Sequence, residues 1–193
     1  MPKTALLLMD LQNAFLDPKG TLAGDSPTTA QGMLDAVGQL VAWAHEHSIP
    51  VVWAGLSYRP GKIDAARSVK SWDRASQVVV EGSWQAEFLG GLGRRDDDIL
   101  VRRKRPSAFF QTDLNLALHG LGVKRLIVGG VSTNWAVESS VRDGQSYDYE
   151  MLVVREATGT PFTELHESSL LSMGTIFAEV MTLAEVMETT EER

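Results

Sequence analysis

Asp10, Lys104 and the polar run Ser132-Thr133-Asn134 are the side chains of this 193-residue chain best suited to reaction chemistry, because each follows an apolar run that reads as a β-strand. In a parallel α/β sheet the ligand lies beyond the carboxyl ends of the strands. The same rule collects Gln12 and Asn13 after the first strand, Ser57 and Tyr58 after the second, Arg103 and Arg105 beside Lys104 after the third, and Arg155 and Glu156 after the fifth. A carboxylate such as Asp10, partly withdrawn from water, can give or take a proton. A neighbouring Lys104 ammonium would hold it ionised and stabilise developing negative charge. A helix opening near Thr133 would present N–H groups and its positive dipole end to an oxyanion. The chain contains no cysteine, which excludes disulfides, thiolate metal sites and a thiol nucleophile. Ser132, Thr133, Ser139 and Ser140 supply hydroxyls, but the sequence places no histidine to activate them.

Plainer readings stand beside each of these. An Asp after a strand can be only a turn residue. The basic run Arg102–Arg105 follows Asp96–Asp98 and could form a solvated ion-pair network. The aromatic residues Phe15, Tyr58, Phe109 and Trp135 are candidates for a pocket lining, with Gln12, Ser132 and Thr133 as polar contacts, or else they pack in the core. Arg59 and Arg105 could receive a substrate carboxylate. His45, His47, His119 and His166 all fall in helix-like segments and form no metal pair, so neither a metal nor another cofactor is expected.

Alternating strands and helices must position these groups. Apolar runs predict strands over Ala5–Met9, Ile49–Ala54, Ile99–Arg102, Arg125–Gly130, Glu150–Val154 and Ala178–Met181. Helical spacing of Met33, Leu34, Val37, Leu40, Val41 and Ala44 predicts a helix over Thr28–His47. Further helices are predicted over Trp84–Leu89, Thr112–His119 with Thr112 as N-cap, Thr133–Ser146, Phe162–Met173 and Leu183–Met187. The stretches Asp10–Pro27 and Ser57–Ser83 read as loops, the second long enough to wall a site, and the acidic end Glu188–Arg193 reads as frayed. This order implies one domain over residues 1–193, an α/β fold with helices on both faces of a parallel sheet.

Composition narrows the class. Hydrophobic residues make up 44% of the chain, enough for a sizeable core, and the net charge is −7. An acidic surface argues against nucleic acid as a partner. The apolar run near the N-terminus is too short for a signal-peptide core or a membrane span. With no cysteine, this suits a cytoplasmic protein acting on a small molecule, away from membranes.

Three motifs share one resemblance. Ala5-Leu6-Leu7-Leu8-Met9-Asp10-Leu11-Gln12-Asn13-Ala14-Phe15 resembles the opening motif of the isochorismatase-like hydrolases, the superfamily of cysteine hydrolases. Lys104 with Pro106-Ser107-Ala108-Phe109-Phe110 resembles the second motif, and Gly129-Gly130-Val131-Ser132-Thr133-Asn134-Trp135-Ala136 the third. The resemblance implies a three-layer α/β/α sandwich on a mostly parallel six-stranded sheet, a cis peptide before Ser132, and assembly into a homodimer or homotetramer. Many members are amidases that use an Asp, a Lys and a nucleophilic Cys. These positions match Asp10, Lys104 and Ala136, so the nucleophile position holds only a methyl group. Three outcomes remain open. One is a non-covalent hydrolase that uses Asp10 and Lys104, as resembles the true isochorismatases, which cleave a vinyl ether. Another is an engineered Cys→Ala variant of a cysteine amidase acting on an amide or ureido compound. The last is a catalytically inactive protein that binds a small ligand.

Overall fold

A computed structural model describes residues 3–23, 30–66 and 70–189. Its centre is a six-stranded, all-parallel sheet in the order β3-β2-β1-β4-β5-β6. The strands are β1 (Lys3–Met9), β2 (Val51–Leu56), β3 (Ile99–Arg103), β4 (Val123–Val131), β5 (Glu150–Gly159) and β6 (Glu179–Met181). The helices are α1 (Asn13–Leu16), α2 (Ala30–Glu46), α3 (Lys70–Val78), α4 (Leu114–Leu121), α5 (Glu138–Ser146), α6 (Thr163–Ile176) and α7 (Leu183–Thr189).

Strand alternation builds the layers. From β1, Ala5, Leu7 and Met9 enter one core with Leu114 and Leu118 of α4, Val141 of α5, and Leu170 and Met173 of α6. Leu6 and Leu8 point the other way, onto Val37, Leu40, Val41 and Ala44 of α2 and Val186 of α7. A continuously apolar strand is therefore covered on both faces, and the α/β/α layering read from the sequence holds. No described helix is long and apolar enough to cross a membrane.

Several boundaries differ from the sequence reading. The third strand runs one residue further, through Arg103, and the fifth runs on to Gly159. Trp84–Leu89 yields only a short 3-10 turn over Trp84–Ala86, and the stretch read as the loop Ser57–Ser83 contains α3. Asp113, not Thr112, is the N-cap of α4; the Thr112 hydroxyl instead accepts from Leu114 N at 3.3 Å and donates to the Ala108 carbonyl. The segment after β4 opens as a π-helical turn, Thr133–Val137, before α5. The last helix continues through Thr189, while the rest of the acidic end and the predicted start at Thr28 lie outside the described residues.

One polar staple ties α2 to the sheet. Asp98, just before β3, accepts from Trp53 Nε1 at 2.9 Å and Arg95 N at 2.9 Å, and its other oxygen meets His45 Nε2 at 2.8 Å. Asp98 and His45 are both largely buried. Losing the acceptor strands two buried ring nitrogens, and an unpaired buried donor costs about 1–3 kcal/mol. Asp98→Ala is therefore expected to lower unfolding free energy by about 2–4 kcal/mol in urea titrations; a change under about 0.5 kcal/mol would contradict this role.

Candidate active site

The site forms where β1 and β4 end side by side. Met9 pairs with Gly130, and the two backbones approach so closely that a Cβ on Gly130 would lie 2.1 Å from the Met9 carbonyl oxygen. With φ at +110°, that position calls for glycine on conformational grounds too. The chain then crosses the cis Val131–Ser132 peptide into the π-helical turn. Asp10 takes a left-handed backbone conformation, φ 51°, which Asp tolerates better than most residues. Its N–H still donates to the Ala54 carbonyl at 2.9 Å, so the turn away from the strand begins at Asp10 itself.

The Asp10 side chain is buried, and its partner is Arg103. Arg103 Nη2 donates to Asp10 Oδ2, Arg103 Nη1 donates to the Arg105 carbonyl, and Asp10 Oδ1 accepts from Leu56 N at 3.2 Å. Arg103 is only 1% exposed. Burial raises the Asp10 pKa from its ordinary 3.8 to about 6, against the pull of the Arg103 guanidinium and the Leu56 N–H. Because the folded-state value is raised, Asp10 favours the fold most below about pH 4 and loses that contribution as pH rises through about 6.

Lys104, which the sequence points to as the partner of Asp10, is instead an ion-pair partner of Asp64, with Nζ 3.5 Å from Oδ2. Strand alternation is the reason. Val101 and Arg103 share the buried side of β3, whereas Arg102 and Lys104 fall on the other parity. The same parity was available in the sequence and would have selected Arg103. Asp64, absent from the sequence reading, also accepts from Arg59 N at 3.1 Å, with Arg59 Nη1 3.5 Å from Oδ2.

The other expected contacts divide. Phe15, Tyr58 and Trp135 come together in one cluster with Ala14, Leu22 and Leu56. Tyr58 is fully buried, its hydroxyl donates to the Lys104 carbonyl at 3.5 Å, and burial pushes its pKa well above the ordinary tyrosine value. Phe109 does not join them. Its ring packs on Tyr147 and Tyr149, beyond the C-terminal end of α5, with centroids 5.5 and 5.7 Å apart. Gln12 is committed to structure: Nε2 donates to the Leu56 and Ala86 carbonyls at 2.8 and 2.7 Å, and Oε1 accepts from Leu56 N at 2.9 Å.

At the π-helical turn, Ser132 is half-buried and its carbonyl accepts from Trp135 N and Val137 N at 3.0 and 3.2 Å. Ala136 is buried among Val137, Val141 and Phe109. Ser140 Oγ donates to the Ala136 carbonyl at 2.7 Å and accepts from Ala108 N at 2.9 Å, so that hydroxyl holds the turn. Thr133 corrects the sequence reading. His166, from α6, does reach it, with Nδ1 2.9 Å from Oγ1, and burial lowers the His166 pKa. Thr133 itself is wholly buried. Among the described residues no group of three or more His, Asp or Glu could hold a metal ion.

The isochorismatase domain matches residues 4–185. This chain belongs to the isochorismatase family. It is 29% identical over 198 residues to a ureidoacrylate amidohydrolase of Methylobacterium radiotolerans, covering 94% of this chain and 77% of that protein. It is 29% identical over 192 residues to a maleamate amidohydrolase of Pseudomonas putida, covering 96% and 86%. A cysteine hydrolase from Pseudomonas syringae superposes with a TM-score of 0.91 at 24% identity over 98% of this chain and 92% of that one. An isochorismatase family protein from Burkholderia thailandensis gives 0.85 at 26% identity, over 99% and 97%.

The two cations have unequal weight. Removing one partner of a buried pair costs about 3–5 kcal/mol, whereas a partly exposed pair contributes about 0–1 kcal/mol. Arg103→Met is therefore expected to destabilise the protein strongly in urea titrations, and more at pH 8 than at pH 5, because Asp10 must then ionise without its counter-charge. Lys104→Met should change stability by less than about 1 kcal/mol. Equal effects of the two would contradict the assignment.

Proposed function

We propose that this chain is a non-covalent hydrolase of a small molecule, in which Asp10 gives a proton to the substrate and water makes the new bond. The observation that supports it best is a buried carboxyl whose pKa of about 6 keeps it half protonated at pH 6 and still partly protonated at neutrality, held by a guanidinium beside a strand end. A general acid works best when its pKa lies near the working pH. Arg103 keeps its charge and exchanges no proton, so its part is electrostatic. Ala136 offers no nucleophile. Thr133, although it meets His166, is enclosed at 0% exposure, which speaks against attack by its hydroxyl.

The substrate class follows from the relatives, whose names give ureidoacrylate and maleamate as what they act on. Carried to this chain, that makes the substrate a small amide or ureido compound. Asp10 would protonate the departing nitrogen as water adds to the carbonyl carbon, and the proton that water gives up would return to the Asp10 carboxylate, releasing the amine and a carboxylic or carbamic acid. Phe15, Tyr58 and Trp135 would line the apolar side of the substrate, and Lys104 would act through Asp64.

Two measurements test this on a panel of small amides and ureido compounds assayed for ammonia release. Asp10→Asn should lower kcat/KM by about a hundredfold or more while the protein stays folded. With the wild-type chain, kcat should fall as pH rises above about 6, since only protonated Asp10 is competent. Retained activity in Asp10→Asn, or a rate that rises through pH 6, would overturn the role.

A further inference from the structure

The π-helical turn Thr133–Val137 packs its Trp135 against the Tyr58 cluster, and three side chains from outside the turn tie it down. Ser140 of α5 donates to the Ala136 carbonyl at 2.7 Å, and Thr160 Oγ1, just past β5, donates to Asn134 Oδ1 at 2.8 Å. The third tie comes from α6, where His166 Nδ1 lies 2.9 Å from Thr133 Oγ1. Of these three groups, His166 alone can change its charge near neutral pH.

Burial sets the direction of that bond. Thr133 is wholly buried, and its hydroxyl makes no other hydrogen bond among the described residues. A buried hydroxyl proton without an acceptor is costly. The Thr133 proton therefore goes to Nδ1, and the ring is neutral with its own proton on Nε2. A protonated ring carries hydrogens on both nitrogens and can only donate. The bond would then have to reverse, and the Thr133 proton would be left in the core with no acceptor.

The charges around the ring do not override this balance. Glu167 follows His166 on α6 and pairs with Arg155 of β5 at 2.9 Å, so their effects on the ring oppose each other. Glu164, also on α6, is exposed. The π-helical turn itself has no charged residue. Two other elements pack on α6: α5, whose Glu138 and Arg142 pair with each other at 2.6 Å, and β6, whose Glu179 is exposed. Burial acts in the same sense as the hydroxyl and lowers the His166 pKa.

We propose that His166 is a positioning residue of the site: its neutral ring accepts the Thr133 hydroxyl and fixes the π-helical turn that carries Trp135, and protonation of the ring loosens that turn. The site thereby has an acid limit separate from the proton on Asp10. Its bearing on the reaction rests on the reading of this turn as a wall of the site; the loosening itself does not.

Amide hydrogen exchange in the full chain tests it, read by NMR from pH 8 down to pH 4.5 with the His166 ring signals followed alongside. The amides to watch are Trp135 and Val137, both bonded to the Ser132 carbonyl. Their protection should fall about tenfold as His166 takes up its proton, with a midpoint below the ordinary 6.5. His166→Asn places a side-chain oxygen near the position of Nδ1 and cannot titrate, so protection should stay high throughout. His166→Leu should be about tenfold less protected at every pH; the asparagine variant keeps the test decisive if the leucine variant does not fold. Asp10→Asn should keep the wild-type step. Wild-type protection that stays level while His166 titrates, a step that persists in His166→Asn, or one that vanishes in Asp10→Asn would overturn the proposal.

Discussion

The ion pair between Asp10 and Arg103 is the constraint around which the site is arranged. Burying a carboxylate and a guanidinium together carries a large desolvation cost, offset only by close geometry and further hydrogen bonds. The surrounding structure supplies these in part. Asp10 is turned by its left-handed backbone at the end of β1, Leu56 N donates to its other oxygen, and Arg103 comes from the inward side of β3. The sheet order sets β2 between the two strands, so the pair spans the end of β2 and takes a hydrogen bond from its last residue. Gln12 closes the same strand end with three hydrogen bonds of its own.

Ala136 changes what such a pair is for. In a cysteine hydrolase the carboxylate would serve a thiol. Here the residue that the resemblance sets in that position is an alanine buried in the core, and on the proposed reading the proton on Asp10 is the reactive resource of the site. A buried carboxyl that is half protonated near pH 6 suits donation to a leaving group better than a fully ionised one would. The arginine stabilises charge without exchanging a proton of its own.

Much of the fold was legible because parallel strands buried on both faces leave a plain trace: continuous apolar runs such as Ala5–Met9 and Leu126–Val128, spaced by helical patterns. Asp10 and the turn at Ser132 followed from the rule about strand ends. Arg103 was missed because the strand was read as ending at Arg102; the strand runs through Arg103, whose parity with Val101 turns it inward, while Lys104 falls on the other parity. Phe109 was misplaced because its partners, Tyr147 and Tyr149, lie some forty residues away and no local pattern joins them. His166 and Asp64 reach the site region from α6 and from the stretch after β2, by tertiary contacts that leave no periodic signal.

The state of the Asp10 proton is the most direct test of this account. A 13C NMR titration of the Asp10 side-chain carboxyl in the folded protein would follow it without any substrate. A midpoint near 6 is expected from burial against Arg103. A midpoint at or below the ordinary 3.8 would show that Asp10 is an ionised carboxylate throughout the working range, and would contradict its role as proton donor.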